Sequence, residues 1–269
     1  MIQVRKPESI YQIDGEISNG TFHGRWHFSF GDYYDPKFRD FGSLRVFNDD
    51  TLSPGAVWPL HPHRDNEVVT YVAEGEFRHA DEHGKGGVLK KGWVQHTTIG
   101  RGMWHSEINN LRDTPMRFIQ MWFSPSKHGL PPAVEQKAVE RAERTDRLLP
   151  LVSNHDRGTL PIVSDARVLS SFLHAGKSER YDLEIGRGLY LYVLEGGPVL
   201  VNGARMQALA SAMITAEESI LIRAERDAEL LLVEVKLLQQ AAGTTDQETG
   251  DIDADDDADA IEETDGRAA

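Results

Sequence analysis

From residue 20 to 125, apolar and polar positions alternate with a period of two, in short runs broken by glycine. Side chains at i and i+2 of a strand share a face, so this pattern predicts strands rather than helices. SLRVFNDD (43–50) reads as a strand through Leu44, Val46 and Phe47, followed by a polar turn. EVVTYVAEGEFRH (67–79) is β-branched and aromatic, with Gly75 as a bend. DEHGKGG (81–87) is a turn, and VLKKGWVQHTTIG (88–100) and MRFIQMWFSP (116–125) are further strands.

The pattern returns after residue 150, in VLSSFLHAG, RYDLEIGRGLYLYVLEGGPVLVNGARM, ASAMITAEESILIRA and AELLLVEVKLL. Between the two halves lies GLPPAVEQKAVERAERTDRLLP (129–150). Propensity favours a helix over 133–146, while the lack of a clean apolar stripe leaves an extended crossover open. TYVAEGEFRHADEHGKGG and LYVLEGGPVLVNGARM share an aromatic, an apolar pair, a Glu-Gly, a strand and a turn. This weak repeat suggests two copies of one β unit, and many short strands with glycine turns suggest barrels or sandwiches. The expected organisation is an all-β chain with one barrel over 1–130, a second over 131–240 and a tail over 241–269.

Charge supports the separate tail. The net charge of −14 divides into −10 for residues 243–269 and −4 for the rest of the 269-residue chain. A tail so acidic and so poor in apolar residues is expected to be disordered and to serve solubility. It lacks the glycine of an EF-hand loop, which weakens a calcium reading. Acidic body and tail together argue against nucleic acid as a direct ligand. No run of eighteen apolar residues and no apolar signal core occurs, so a cytoplasmic protein without membrane spans is expected. The absence of cysteine excludes disulfides, zinc–thiolate sites and thiol nucleophiles. No Gly-x-Ser-x-Gly elbow is present, and Gly100-Arg101-Gly102 lacks a phosphate-loop context.

Chemistry concentrates in HPHRDNE (61–67) and HSE (105–107). On extended backbone His61 and His63 project together, and Pro62 biases its neighbour towards that geometry. His105 and Glu107 project together by the same rule. If the two strands are neighbours, three imidazoles and a carboxylate converge, a set suited to Fe, Mn, Ni, Cu or Zn. If they are not, the four are unrelated polar residues. Gly100 and Gly102 allow the chain to fold back so that His105 can reach the first pair.

Gly55, His61-x-His63, Glu67 and Gly75 resemble the first conserved motif of the cupin superfamily, and KGWVQHTTIGRGMWHSE resembles the second. Seven residues separate Glu67 from Gly75, one more than the common cupin spacing. Together with WHFSFGDYYDP and LRVFNDD, these segments resemble the bacterial branch of the pirin family over residues 20–130. The second half resembles a degenerate C-terminal cupin barrel more loosely. The resemblance implies two jelly-roll barrels in one chain. It implies one divalent transition metal, iron(II) foremost with Mn, Co, Ni, Cu or Zn as substitutes, held by His61, His63, His105 and Glu107. It further implies a dioxygenase that opens the heterocyclic ring of a flavonol such as quercetin with O2 and releases carbon monoxide. In that reading Glu107 leaves the metal to accept the substrate proton, and Glu67 is a second base or orients a ligand histidine. A surface carboxylate is the plain alternative for Glu67. The resemblance also admits a non-enzymatic, redox-sensing regulator that binds a transcription factor or metabolic enzyme, or a metal that only stabilises the fold.

Other histidines have plainer expectations. Alternation sets His96 opposite Gln95 and Thr97, in a structural role. His79 and His83 flank a turn and are expected to face solvent. His155 and His174 are isolated, so no second metal site is expected. Trp58, Met103 and Trp122 are candidate walls for a flat substrate.

Overall fold

The computed structural model describes residues 1–237, and the acidic tail lies outside them. The first strands are β1 (Ile2–Arg5), β2 (Tyr11–Ile17), β3 (Gly20–Trp26), β4 (Leu44–Leu52), β5 (Val57–His63), β6 (Glu67–Glu74) and β7 (Glu76–Asp81). They are followed by β8 (Gly86–Lys90), β9 (Val94–Thr98), β10 (Met103–Asn109), β11 (Met116–Phe123), β12 (Ala133–Lys137) and β13 (Leu149–Ser153). The second half adds β14 (Ala166–Leu173), β15 (Ser178–Asp182), β16 (Arg187–Gly196), β17 (Val199–Val201), β18 (Ala204–Met206), β19 (Ser211–Thr215), β20 (Ser219–Ala224) and β21 (Ala228–Lys236). The protein is all-β, with two cupin barrels. Among the described residues no helix is long and apolar enough to cross a membrane.

Each barrel pairs a large sheet with a small one. In the first, β12-β9-β6-β11-β4-β3-β2 faces β5-β10-β7-β8; in the second, β1-β19-β16-β21-β14-β13 faces β15-β20-β17-β18. The strand orders match, β9-β6-β11-β4 against β19-β16-β21-β14 and β5-β10-β7-β8 against β15-β20-β17-β18. The internal repeat is therefore topological. Gly75 and Gly196 occupy equivalent corners at φ 72° and 70°. A Cβ at either would run into a backbone oxygen, that of Pro115 or Asp227, just before the next central strand. The edges are exchanged: β1, from the N-terminus, closes the second barrel on β19, and β12 closes the first on β9. The sheets thus do not divide at residue 130.

The central strands are buried on both faces, and their alternation sorts two cores. In β16, Leu189, Leu191 and Val193 fill the second barrel, while Tyr190, Tyr192 and Leu194 face the first. In β6, Val69, Tyr71 and Ala73 meet that same central cluster, while Val72 points into the first barrel. The largest core is thus the layer between the two large sheets. Segment 133–146 takes the extended alternative: β12, then a short 3-10 turn at Arg141–Arg144. Pairing with β9 satisfies a backbone that had no apolar stripe to bury as a helix.

The expected polar turn after Phe47 is a correction. Asn48, Asp49 and Asp50 continue β4 and are buried. Asp49 is tolerated because Arg117 grips both its oxygens at 2.7 Å, and the Tyr192 hydroxyl of the second barrel donates to it at 2.5 Å. Burial pushes its pKa up, but the Arg117 bonds outweigh this and hold it below the ordinary value. Arg117 also donates to the Leu194 carbonyl at 3.2 Å, so this charge pair joins the barrels.

Removing one member of such a pair leaves a buried charge unpaired, at a cost of about 3–5 kcal/mol, whereas losing one neutral donor costs about 1 kcal/mol. Arg117→Met is therefore expected to lower the urea-unfolding free energy by about 3–5 kcal/mol and Tyr192→Phe by about 1 kcal/mol. Equal effects would show that Asp49 does not depend on its guanidinium partner.

Candidate metal centre

The small sheet of the first barrel supplies the site. β5 and β10 pair antiparallel, with His105 opposite His61 and Met103 opposite His63. A register shift follows: Glu107 lies opposite Trp58, so β5 bulges at Pro59–Leu60. The ring centroids of His61, His63 and His105 are 4.5–5.0 Å apart. One nitrogen from each lies within 4.8 Å of the others. Two sequence-distant motifs therefore meet as one cluster.

The donor set fits a cation. The Nδ1 of His61 is 2.7 Å from the Pro59 carbonyl, so a neutral ring that donates there keeps its lone pair on Nε2. His105 Nε2 is buried without a hydrogen-bond partner. Burial, then the neighbouring His61, His63 and His79 rings, hold the His105 pKa well below its ordinary value, which keeps the ring in its metal-ligating neutral form. Two buried carboxyls add to the demand for positive charge. Burial and then Asp50 push Glu107 up to about 8, and burial chiefly pushes Asp50 to about 7.

Glu107 stands beside this cluster rather than in it. Its Oε1 accepts from Gln120 Nε2 at 2.5 Å, and Gln120 Oε1 accepts from Trp122 Nε1 at 2.8 Å. Trp122 sets its ring edgewise on His63 at 4.7 Å. Met103 and Trp122 form an apolar cluster with Val46, Val68 and Ile99, whereas Trp58 packs on Phe22 in the core at the other end.

His79 is a correction. It was expected at a hairpin tip facing solvent, yet it is 2% exposed, with Nε2 2.8 Å from His105 Nδ1. The turn begins two residues later, at Asp81, and β7 alternates Phe77, His79 and Asp81 inward. That Phe77-x-His79 alternation was the available signal. Burial lowers the His79 pKa to about 4. A neutral His79 accepting from His105 Nδ1–H fixes the tautomer in which His105 Nε2 is free to ligate. His83 faces solvent as expected, its side chain 71% exposed.

The structure brings Glu67 elsewhere. Its carboxylate accepts from the Val163 and Ser164 amides at 2.7 Å and from the Ser164 hydroxyl at 2.6 Å, in the joint to the second barrel. His96 Nε2 is 3.3 Å away. Burial pushes the Glu67 pKa up, but the adjacent His96 and the bonds from Ser164 and Val163 outweigh it and hold it down. His155 and His174 are half-exposed beside Asn154 and Asp146. The three-imidazole group is the sole cluster of its kind among the described residues.

These features define a class, a bicupin protein whose first barrel carries a three-histidine cluster suited to a divalent metal. The sequence profile of the pirin family matches residues 11–123, and that of the quercetinase C-terminal cupin domain matches 151–235. The chain is 40% identical over 222 residues to a pirin-like protein of Caulobacter vibrioides, covering 82% of this chain and 95% of that one. It is 32% identical over 236 residues to quercetin 2,3-dioxygenase of Escherichia coli, covering 87% and 99%. The crystal structure of the bacterial pirin YhhW from E. coli in complex with nickel(II) superposes with a TM-score of 0.80 at 29% identity, over 88% of this chain and all of that one. The chain belongs to the pirin family.

Three substitutions separate ligation from support. His105→Ala is expected to abolish stoichiometric metal binding in equilibrium dialysis. His79→Phe should weaken it about 10- to 100-fold, the usual effect of removing the group that orients a ligand histidine. Glu67→Gln should leave metal affinity intact while lowering unfolding stability by about 1–3 kcal/mol, since it disturbs a buried acceptor. Metal loss in Glu67→Gln would return Glu67 to the site.

Proposed function

We propose that the protein is a metal-dependent dioxygenase that binds a flavonol or related enolic phenol at the His61–His63–His105 centre and opens its heterocyclic ring with O2, releasing carbon monoxide. The observation that carries this reading is the convergence of three imidazoles, those of His63 and His105 buried, in a chain aligned along nearly the whole length of a quercetin 2,3-dioxygenase. When bound, a divalent first-row ion supplies Lewis acidity towards an enol oxygen and redox contact with dioxygen. The three histidines hold the ion, and His79 keeps His105 aimed at it. Glu107, two residues beyond His105 and held by Gln120, would be placed to take the enol proton once the charge of a bound divalent ion lowers its raised pKa. Met103 and Trp122 give a flat aromatic ligand an apolar wall and limit water at the reacting end. Glu67 takes no part in this scheme, because its oxygens are committed to Val163 and Ser164.

Imidazole donors suit several ions, so the test varies the metal. Full-length protein is loaded anaerobically with Fe(II), Mn(II), Co(II), Ni(II) or Cu(II) and mixed with quercetin and O2. Loss of flavonol absorbance with release of carbon monoxide is expected for at least one ion, and neither in His63→Ala. Protein that binds one ion per chain yet turns over no quercetin with any of them would overturn the flavonol reading.

A further inference from the structure

The three imidazoles lie at one end of β5 and β10, and that end carries a basic rim. His63 is the last residue of β5, and Arg64 follows it. Met103, opposite His63, opens β10 two residues after Arg101. A third loop leaves β11 just beyond Trp122, which packs on His63, and carries Lys127 and His128. The three loops are tied into one surface. Asp65 N donates to Gly100 O at 2.8 Å, Ile99 N to Asn66 O at 3.0 Å and Arg101 N to Leu130 O at 2.9 Å. The Asp65 carboxylate accepts from Gly129 N at 2.8 Å.

Arg64, Arg101, Lys127 and His128 are all exposed on this surface. Among the described residues Arg64, Arg101 and Lys127 have no ion-pair partner. The one carboxylate in the three loops, Asp65, is already engaged by Gly129 and lies 3.7 Å from His128. Three cations on a hydrogen-bonded frame, without ion pairs among the described residues, stand out in a chain of net charge −14. The apolar floor of Ile99, Met103 and Trp122 beneath them excludes water and focuses their field.

We propose that this rim binds an anionic group, a carboxylate or comparable oxyanion, on a small ligand whose enol oxygen is held at the three-imidazole centre. The proposal rests on the enol-binding reading above and narrows its substrate class from neutral flavonols to enols bearing a second acidic group. Arg64 and Arg101 supply planar forks that match a carboxylate, and Lys127 supplies a mobile point charge. The centre then selects by two features, an enol for the metal and a negative charge for the rim.

The test compares two hydroxypyranone probes, comenic acid and its methyl analogue allomaltol, which share the enol–carbonyl head and differ in carboxylate against methyl. Each is titrated calorimetrically into nickel(II)-loaded full-length protein in about 0.01 M and about 1 M salt, where the screening lengths are roughly 30 Å and 3 Å. Comenate is expected to bind on the order of tenfold tighter than allomaltol in low salt, with the gap collapsing in high salt. In a combined Arg64→Gln, Arg101→Gln, Lys127→Gln variant the two probes should bind alike even in low salt. Equal affinity in the unsubstituted protein, or a comenate advantage that survives the triple substitution, would overturn the rim and leave the enol-binding reading standing. Binding of neither probe to metal-loaded protein would overturn both.

Discussion

Every central strand of this protein has to satisfy two environments at once. β6, β11, β16 and β21 send one set of side chains into their own barrel and the alternate set into the layer between barrels. A slip of one residue would exchange the two sets, so the register is tightly specified. The buried charges sharpen that requirement. Asp49 with Arg117 and Tyr192, Glu229 with Tyr71 and Arg144, and Glu67 with Ser164 all cross the joint. Each would be left without its partner if the barrels shifted, a cost far above that of a misplaced methyl group.

The metal centre inherits its geometry from that rigidity. β11 is held on one face by the inter-barrel core, and on its other face presents Gln120 and Trp122 to Glu107 and His63. β10 lies between β5 and β7, which places His105 between the β5 imidazoles and His79. The second barrel repeats the topology without such a histidine cluster among the described residues.

Much of the fold was legible in period-two alternation and glycine corners. The readings that failed did so where a local rule met a distant partner. Asn48-Asp49-Asp50 looks like a turn because three polar residues rarely sit in a central strand; Arg117 and Tyr192, 68 and 143 residues away, make it one. The helical propensity of 133–146 lost to the open edge of β9. His79 was assigned to a turn that begins two residues later. Glu67 sits in the metal-site motif by sequence, yet its partners come from the second barrel.

The sequence by itself determined the strands, the duplication and the three candidate ligand histidines, because each depends on spacing along the chain. Two histidines at i and i+2 share a face wherever their strand lies. Tertiary structure alone decided which strands became neighbours, and therefore which carboxylates could serve chemistry. Glu107 was left beside the imidazoles with a neutral amide partner, while Glu67 was drawn into the joint by two amides and a hydroxyl. The exchange of β1 and β12 between barrels was likewise invisible locally, since an edge strand's backbone pairs with whichever open edge the rest of the fold presents.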